Sequence, residues 1–180
     1  MNIAVISDTH GNLDGLRRAI REIMDQQTID VFVHLGDNYE DAQVFDEFGC
    51  TYLNVPGVFS DYYSSRSVPN RLIKEFEGWR FLLTHTLTSH ANDLADDPKP
   101  EALISEKQVD IVLFGHTHRP ELAVKDSILF VNPGHLKEQD KKGFSATYAI
   151  LNIDSIGINA RIIGLGTGNL LNEVIFGRGD

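Results

Sequence analysis

A chain of 180 residues has room for one well-buried domain and little for a second. Its formal charge of −10, from 16 Lys and Arg against 26 Asp and Glu, excludes general binding to nucleic-acid phosphates, which needs a basic run. No run of 18 apolar residues occurs and the single Cys50 has no disulfide partner, so the expectation is a globular cytoplasmic protein without a membrane segment.

The opening "MNIAVISD" carries no basic leader, and residues 2–7 read as a buried strand. "GNLDGLRRAIREIMDQQ" sets Leu13, Leu16, Ile20 and Ile23 at helical spacing, with Asn12 as N-cap. "DVFVHLGD" (30–37) reads as a second strand, "EDAQVFDEFG" as a short helix closed by Gly49, and "TYLNVPG" (51–57) as a third strand. This alternation predicts parallel strands joined by right-handed crossovers. The pattern then changes. "RLIKEFEGWRFLLTH" reads as a hairpin turning at Glu77-Gly78, a helix starts near Pro100, and "VDIVLFGH" is another buried strand. "ELAVKDSILFVNPG" and "ATYAILNIDSIGINARIIGL" read as two further hairpins. One α/β domain with two sheets, residues 1–165, accounts for all of this. Residues 166–180, with an apolar patch at 174–176, remain as a tail, an edge strand or a contact arm, and a homo-oligomer is compatible with the pattern.

Apolar runs end repeatedly in metal or phosphate chemistry. "AVIS" leads to Asp8-Thr9-His10, "VFVHL" to Gly36-Asp37-Asn38, "YLNV" to Gly57 and later Asp61, "FLLT" to His85, and "IVLF" to His116 and His118. An open α/β sheet binds ligands outside the carboxyl ends of its strands, so these side chains are expected in one region. Each has a plainer reading: Asp8 as a turn or cap, Gly36-Asp37 as a turn, His85 as a satisfied buried histidine. Their coincidence at strand ends favours ligation. His34 and Cys50 read as core, and His90 and His135 stay undecided.

Carboxylates and imidazoles without thiolates point to divalent first-row cations. Asp8, His10, Asp37, His85, His116 and His118 make six donors, too many for one tetrahedral ion. Two ions about 3.5–4 Å apart, sharing one carboxylate, would use them all. On an extended segment His116 and His118 would point to the same side, roughly 6.5–7 Å apart, one toward each ion.

The ordered set "DTH" (8–10), "GD" (36–37), Gly57, His85 and "GHTH" (115–118) resembles the calcineurin-like metallophosphoesterase superfamily. "SDTHGN" and the short length resemble its small prokaryotic (YfcE-like) phosphodiesterase branch. "NPGH" (132–135) is similar to the late Asn-Pro-Gly-Ser turn of that family. The resemblance implies two facing mixed β-sheets flanked by helices. It also implies hydrolysis of small phosphodiesters by a water bridging two divalent metals, manganese first, with nickel, iron, zinc or magnesium as alternatives. Asp8, His10 and His118 would hold the first ion, Asp37 would bridge, and His85 and His116 would hold the second. Asp37, His85 and His116 would then be catalytic through their metals.

Two departures stand out. The asparagine ligand after the family's third glycine is replaced here by Val58, which cannot coordinate. Asp61 or a water is the expected substitute, with Asn54 and Asn38 as poorer ones. The usual His-Gly-His reads His85-Thr86-Leu87, and no match exists for the histidine that protonates the leaving group in some relatives. The loop "FSDYYSSRSVPNR" offers Arg66, Arg71 and aromatic residues as a cover for the site, against a plain solvated loop. The alternative function is a binding or scaffold protein on a weakened catalytic fold, like the retromer scaffold subunit of the superfamily, with an exposed apolar patch as its working surface.

Overall fold

The structure is a computed structural model, and it describes residues 1–179. Two sheets form its centre. The six-stranded sheet has the order β11-β10-β9-β1-β2-β3 and the five-stranded sheet the order β4-β5-β6-β8-β7. In the first, β1 (Asn2–Ile6), β2 (Val31–His34) and β3 (Tyr52–Asn54) are parallel, as the β-α-β-α-β pattern predicts. The antiparallel strands β9 (Thr147–Ile153) and β10 (Gly157–Gly164) extend that sheet past β1.

The second sheet contains two of the expected hairpins. β4 (Arg71–Phe76) and β5 (Trp79–Thr84) turn at Glu77-Gly78, with φ of 51° and 77°. Positive φ at both central residues is the tight turn whose twist matches the strands. β7 (Glu121–Lys125) and β8 (Ile128–Asn132) turn in the same way at Asp126-Ser127. β6 (Ile111–Leu113) lies between β5 and β8, parallel to both.

Alternating burial assigns the layers. Ile3, Val5 and Val33 of one sheet meet Phe81, Leu83, Leu113 and Val131 of the other in the central core. Ala4, Ile6 and Phe32 point the opposite way, onto Leu16, Ala19, Ile20 and Ile23 of α1 (Leu13–Gln26). Leu82 and Val112 face away from the centre toward Leu103 of α2 (Pro100–Ser105), which has Pro100 in its first turn. The result is two facing mixed sheets flanked by helices. Asn12 caps α1 by accepting the Gly15 N–H at 3.1 Å. Truncating a fully buried residue such as Leu16 to alanine would cost about 2–5 kcal/mol.

Two local expectations are corrected, and of the alternatives for residues 166–180 the edge strand is the one found. The segment Tyr39–Phe48 is wound as 3-10 helix, though Gly49 closes it in the left-handed region at φ 64°. The third strand stops at Asn54, because the chain must bend to bring Gly57 under Asp37. Residues 170–177 form β11 (Leu170–Gly177), paired antiparallel with β10. Of its apolar patch, Phe176 is buried against Trp79, whereas Ile175 is 78% exposed. Arg178 fastens the end of β11 to the other sheet, its guanidinium 4.3 Å from the Trp79 ring centre and its Nη2 donating to Gly78 O.

Candidate metal centre

Parallel strands deliver their following residues to one edge of the sandwich. Asp8 and His10 follow β1, Asp37 follows β2, His85 follows β5, and His116 and His118 follow β6. Their close approach depends on glycine. A Cβ on Gly57 would run into the Asp37 backbone, and one on Gly115 into Ser7 and the Asp8 carboxylate.

Asp8, His10, Asp37 and His118 each offer a donor atom, all within 4.8 Å of one another. His10 Nε2 lies 2.6 Å from Asp37 Oδ2 and 3.0 Å from His118 Nε2, which is 3.4 Å from Asp8 Oδ1. Beside this group, His85 Nε2 lies 3.4 Å from Asp37 Oδ1 and 3.2 Å from His116 Nδ1. Asp37 thus stands between two imidazole pairs, one oxygen toward each.

Partners on the far side fix the ring tautomers. His85 Nδ1 is 2.6 Å from Leu35 O, and a carbonyl only accepts, so Nδ1 carries the proton and Nε2 turns a lone pair inward. His118 Nδ1 donates to Asp140 Oδ1 at 2.8 Å, with the same result. The other Asp140 oxygen is held by the N–H groups of Lys142 and Phe144.

Burial works to raise the Asp37 carboxyl, but His10 and His85 outweigh it and hold it far below the carboxylate range. Burial, reinforced by His85, pushes His116 down and favours its neutral, lone-pair form. The bond to Asp8 raises His118, with Asp140 adding to it. Burial would lower His85, yet Asp37 and Asp8 raise it overall.

A cation fits this arrangement. Imidazole lone pairs and carboxylate oxygens facing one another at contact distance repel unless positive charge lies among them. Asp37 Oδ2 is buried and accepts no hydrogen bond of good geometry, even from His10 at 2.6 Å. Acids and imidazoles without thiolates suit divalent ions.

The backbone is strained at the same residues. Asp8, His10, His116 and His118 have φ of 55°, 49°, 67° and 62°, and Asp37 has 20°. Such conformations cost on the order of 1–3 kcal/mol each and persist only where the surroundings impose them. They also correct the extended reading of "GHTH". The strand ends at Leu113, Thr117 N–H bonds to Gly115 O at 2.8 Å, and both histidines are left-handed. A turn, rather than strand alternation, sends His116 to His85 and His118 to His10.

The remaining candidates separate clearly. His34 is buried with Nδ1 accepting Gly36 N–H and Nε2 3.2 Å from Thr9 Oγ1, and burial pushes it down to about 4. It is structural, as is His135, which accepts Lys137 N–H and donates to Phe144 O. Burial raises the half-buried Cys50 thiol. Val58 is 1% exposed, and its carbonyl accepts from Asn92 Nδ2 at 2.8 Å. Asp61 lies outside the four-donor group but lines a cavity of about 360 Å³ with His10, Asp37 and Asn38. Asn54 is turned away, donating to Tyr39 O. Arg71 does not cover the site. It begins β4 fully buried and pairs with Asp93 at 2.9 Å and Asp97 at 3.7 Å. Asp140 gave no signal in the sequence, since a lone acid in a charged stretch reads as solvated.

The model of the calcineurin-like phosphoesterase superfamily domain matches residues 1–156. The chain belongs to this superfamily. A phosphodiesterase of Methanocaldococcus jannaschii is 26% identical over 148 residues, 74% of this chain and 83% of that protein. The calcineurin-like fold recurs in a predicted phosphoesterase of Streptococcus pneumoniae, with a TM-score of 0.72 and 24% identity over 98% of this chain and 97% of that one. YfcE, a phosphoesterase from E. coli, gives 0.70 and 23% over 97% and 98%. Zinc-complexed Vps29 from Entamoeba histolytica gives 0.69 and 19% over 98% and 99%. At these identities the structural likeness shows the calcineurin-like fold.

Proposed function

We propose that the protein is a phosphodiesterase acting on small phosphodiesters with two divalent cations, manganese first, held by Asp8, His10, Asp37, His85, His116 and His118. The observation that carries this reading is the position of Asp37, with one oxygen toward His10 and the other toward His85. Asp8, His10 and His118 would hold one ion and His85 and His116 the other, with Asp37 shared. Bound there, the ions supply Lewis acidity and positive charge at the phosphoryl oxygens and acidify water. Nickel, iron, zinc and magnesium are the alternatives for this donor set.

The chain's own residues do the rest. Leu35 O and Asp140 hold the His85 and His118 rings in their ligating tautomers. Asp61 shares a cavity with His10 and Asp37 and is the available substitute for the asparagine that Val58 replaces. That cavity also holds Glu40, so its acids penalise the second negative charge of a monoester and favour a monoanionic diester. A cytoplasmic location belongs to the same reading and rests on the single, unpaired Cys50. Among the described residues no helix is long and apolar enough to cross a membrane. A scaffold role would draw on the exposed Leu170, Leu171 and Ile175 of β11, but the six retained donors favour catalysis.

The test is to strip the protein of metal, reload it with Mn²⁺, and assay bis(4-nitrophenyl) phosphate against 4-nitrophenyl phosphate. The expected result is Mn²⁺-stimulated cleavage of the diester, lost in Asp37→Asn and His116→Ala. A folded, metal-loaded protein inert toward both esters with Mn²⁺, Ni²⁺ and Zn²⁺ would overturn the reading.

A further inference from the structure

Two loops beside the cluster are locked to each other. One follows β3 and contains Val58 to Asn70; the other follows β5 and contains Thr86 to Lys99. Asn92 Nδ2 donates to Val58 O across them at 2.8 Å. Beneath, the fully buried Arg71 side chain pairs with Asp93, which also accepts from Tyr63 Oη at 2.6 Å and from the His90 N–H at 3.1 Å. A buried guanidinium is strongly unfavourable without its partner, so this knot holds both loops in place.

The knot presents two rings. Phe59 and His90 meet edge to face, 5.7 Å between centres and 85° between planes. Phe59 is 78% exposed, so its ring is open to solvent and to a ligand. It lines the 360 Å³ cavity that opens on His10 and Asp37, whereas His90 lines a cavity of about 240 Å³ that opens on His116. The pair therefore stands between two cavities that converge on the ligand cluster. His90 Nδ1 accepts the Asn92 N–H at 3.2 Å, so the neutral ring carries its proton on Nε2 as a hydrogen-bond donor.

We infer that Phe59 and His90 form a partition between the two ester arms of a phosphodiester, with His90 Nε2–H donating to one of its oxygens. This rests on the phosphoesterase reading. A diester sends two organic groups away from phosphorus and a monoester sends one; two cavities divided by a wall match the first. On the Phe59 side, Glu40 and Asp61 select an arm that is neutral or cationic. On the His90 side, Leu87 and Phe114 select an apolar arm. The substrate class is a small diester with unlike arms and no anionic group beyond the phosphate.

Calorimetric binding of diphenyl phosphate and phenyl phosphate to the Mn²⁺-loaded protein tests this without turnover. Wild type should bind the diester at least about tenfold more tightly, and Phe59→Ala should cut that ratio severalfold, the scale of one apolar contact, leaving only the charge preference that Glu40 and Asp61 impose. His90→Phe keeps the ring but removes the N–H, and should weaken diester binding about fivefold, the worth of one ordinary hydrogen bond. His90→Gln, which restores a donor at similar reach, should recover most of that loss. Thermal unfolding of each variant separates these effects from misfolding. An unchanged ratio in Phe59→Ala, or wild-type affinity in His90→Phe, overturns the partition. If the ratio responds as expected while no ester is cleaved, the partition stands and the hydrolase reading falls.

Discussion

Asp140 Oδ1 stands 2.8 Å from His118 Nδ1, and the opposite nitrogen of that ring faces Asp8 and His10. The carboxylate belongs to a loop that wraps the ligand turn. Lys142 Nζ donates to Thr117 O, Phe144 O accepts from His135 Nε2, and the His135 ring packs 5.4 Å from His118. A carboxylate behind a ligating imidazole fixes its tautomer and direction and raises its basicity. His118 holds Asp140 down to about 2 against the effect of burial, so the carboxylate is ionised wherever the protein is folded at neutral pH.

Replacing this partner should therefore weaken metal binding without removing a ligand. Asp140→Asn keeps an acceptor and loses the charge; Asp140→Leu loses both. The expected weakening is about 10–100-fold, larger for leucine. Competition with a chromophoric chelator measures it. Equal metal affinity in wild type and Asp140→Leu would show that the loop packs against His118 without tuning it.

Metal removal should also lower stability, because the cluster gathers Asp8, Asp37 and four imidazoles whose donor atoms face one another. At metal concentrations near a hundred times Kd, binding adds about 2.7 kcal/mol to folding. For a chain of this length that corresponds to a fall of about 5–10 °C in Tm when a chelator is added. Scanning calorimetry with and without Mn²⁺ checks the shift. Asp37→Asn should abolish most of it, and a mutant that retains the full shift would remove Asp37 from the shared position.

The gathering of these side chains was legible in the sequence because β1, β2, β5 and β6 each lead within a few residues into an acid or histidine. The parallel alternation of the first 57 residues brings the ends of β1 and β2 together, and the parallel pair β5 and β6 does the same for the histidines of the second sheet. What stayed hidden depends on tertiary closure. Nothing local in "GHTH" announces two left-handed histidines, nor that position 115 must be glycine because Ser7 and the Asp8 carboxylate lie where a Cβ would stand. The Arg71–Asp93 knot joins residues 22 apart across two irregular loops, so it leaves no periodic trace. β11 has little amphipathic pattern, since Leu170, Leu171 and Ile175 are exposed on an edge strand and only Phe176 is buried.

Val58 offers a sharper test of the second ion. Its side chain is buried beside the loop carbonyl that Asn92 holds, so the backbone there is already fixed. Val58→Asn should lower the Mn²⁺ concentration needed for half-maximal activity, by about tenfold if one neutral ligand is regained. Unchanged Mn²⁺ dependence in a folded Val58→Asn protein would mean that Asp61 or another group already fills that position. Asp61→Ala in the same assay separates those two cases, since it should weaken the wild type more than Val58→Asn.

His34 sets a pH limit on the fold rather than on the chemistry. It is fully buried between Gly36 N–H and Thr9 Oγ1, and the Thr9 hydroxyl is itself committed to Asp41 at 2.5 Å. Burial lowers its pKa from 6.5 to about 4, with Asp41 opposing the shift. A depressed histidine is neutral in the fold while the unfolded chain takes up a proton below 6.5. Its contribution is therefore present above pH 6.5 and is lost as the pH falls toward 4. At about 1.4 kcal/mol per unit, the loss amounts to about 3 kcal/mol. Urea unfolding of chelator-treated protein at pH 7.5 and 4.5 should show wild type losing that much more than His34→Gln, whose amide can still reach Thr9. Parallel losses in the two proteins would mean that acid sensitivity arises elsewhere, in the carboxylates of the ligand cluster.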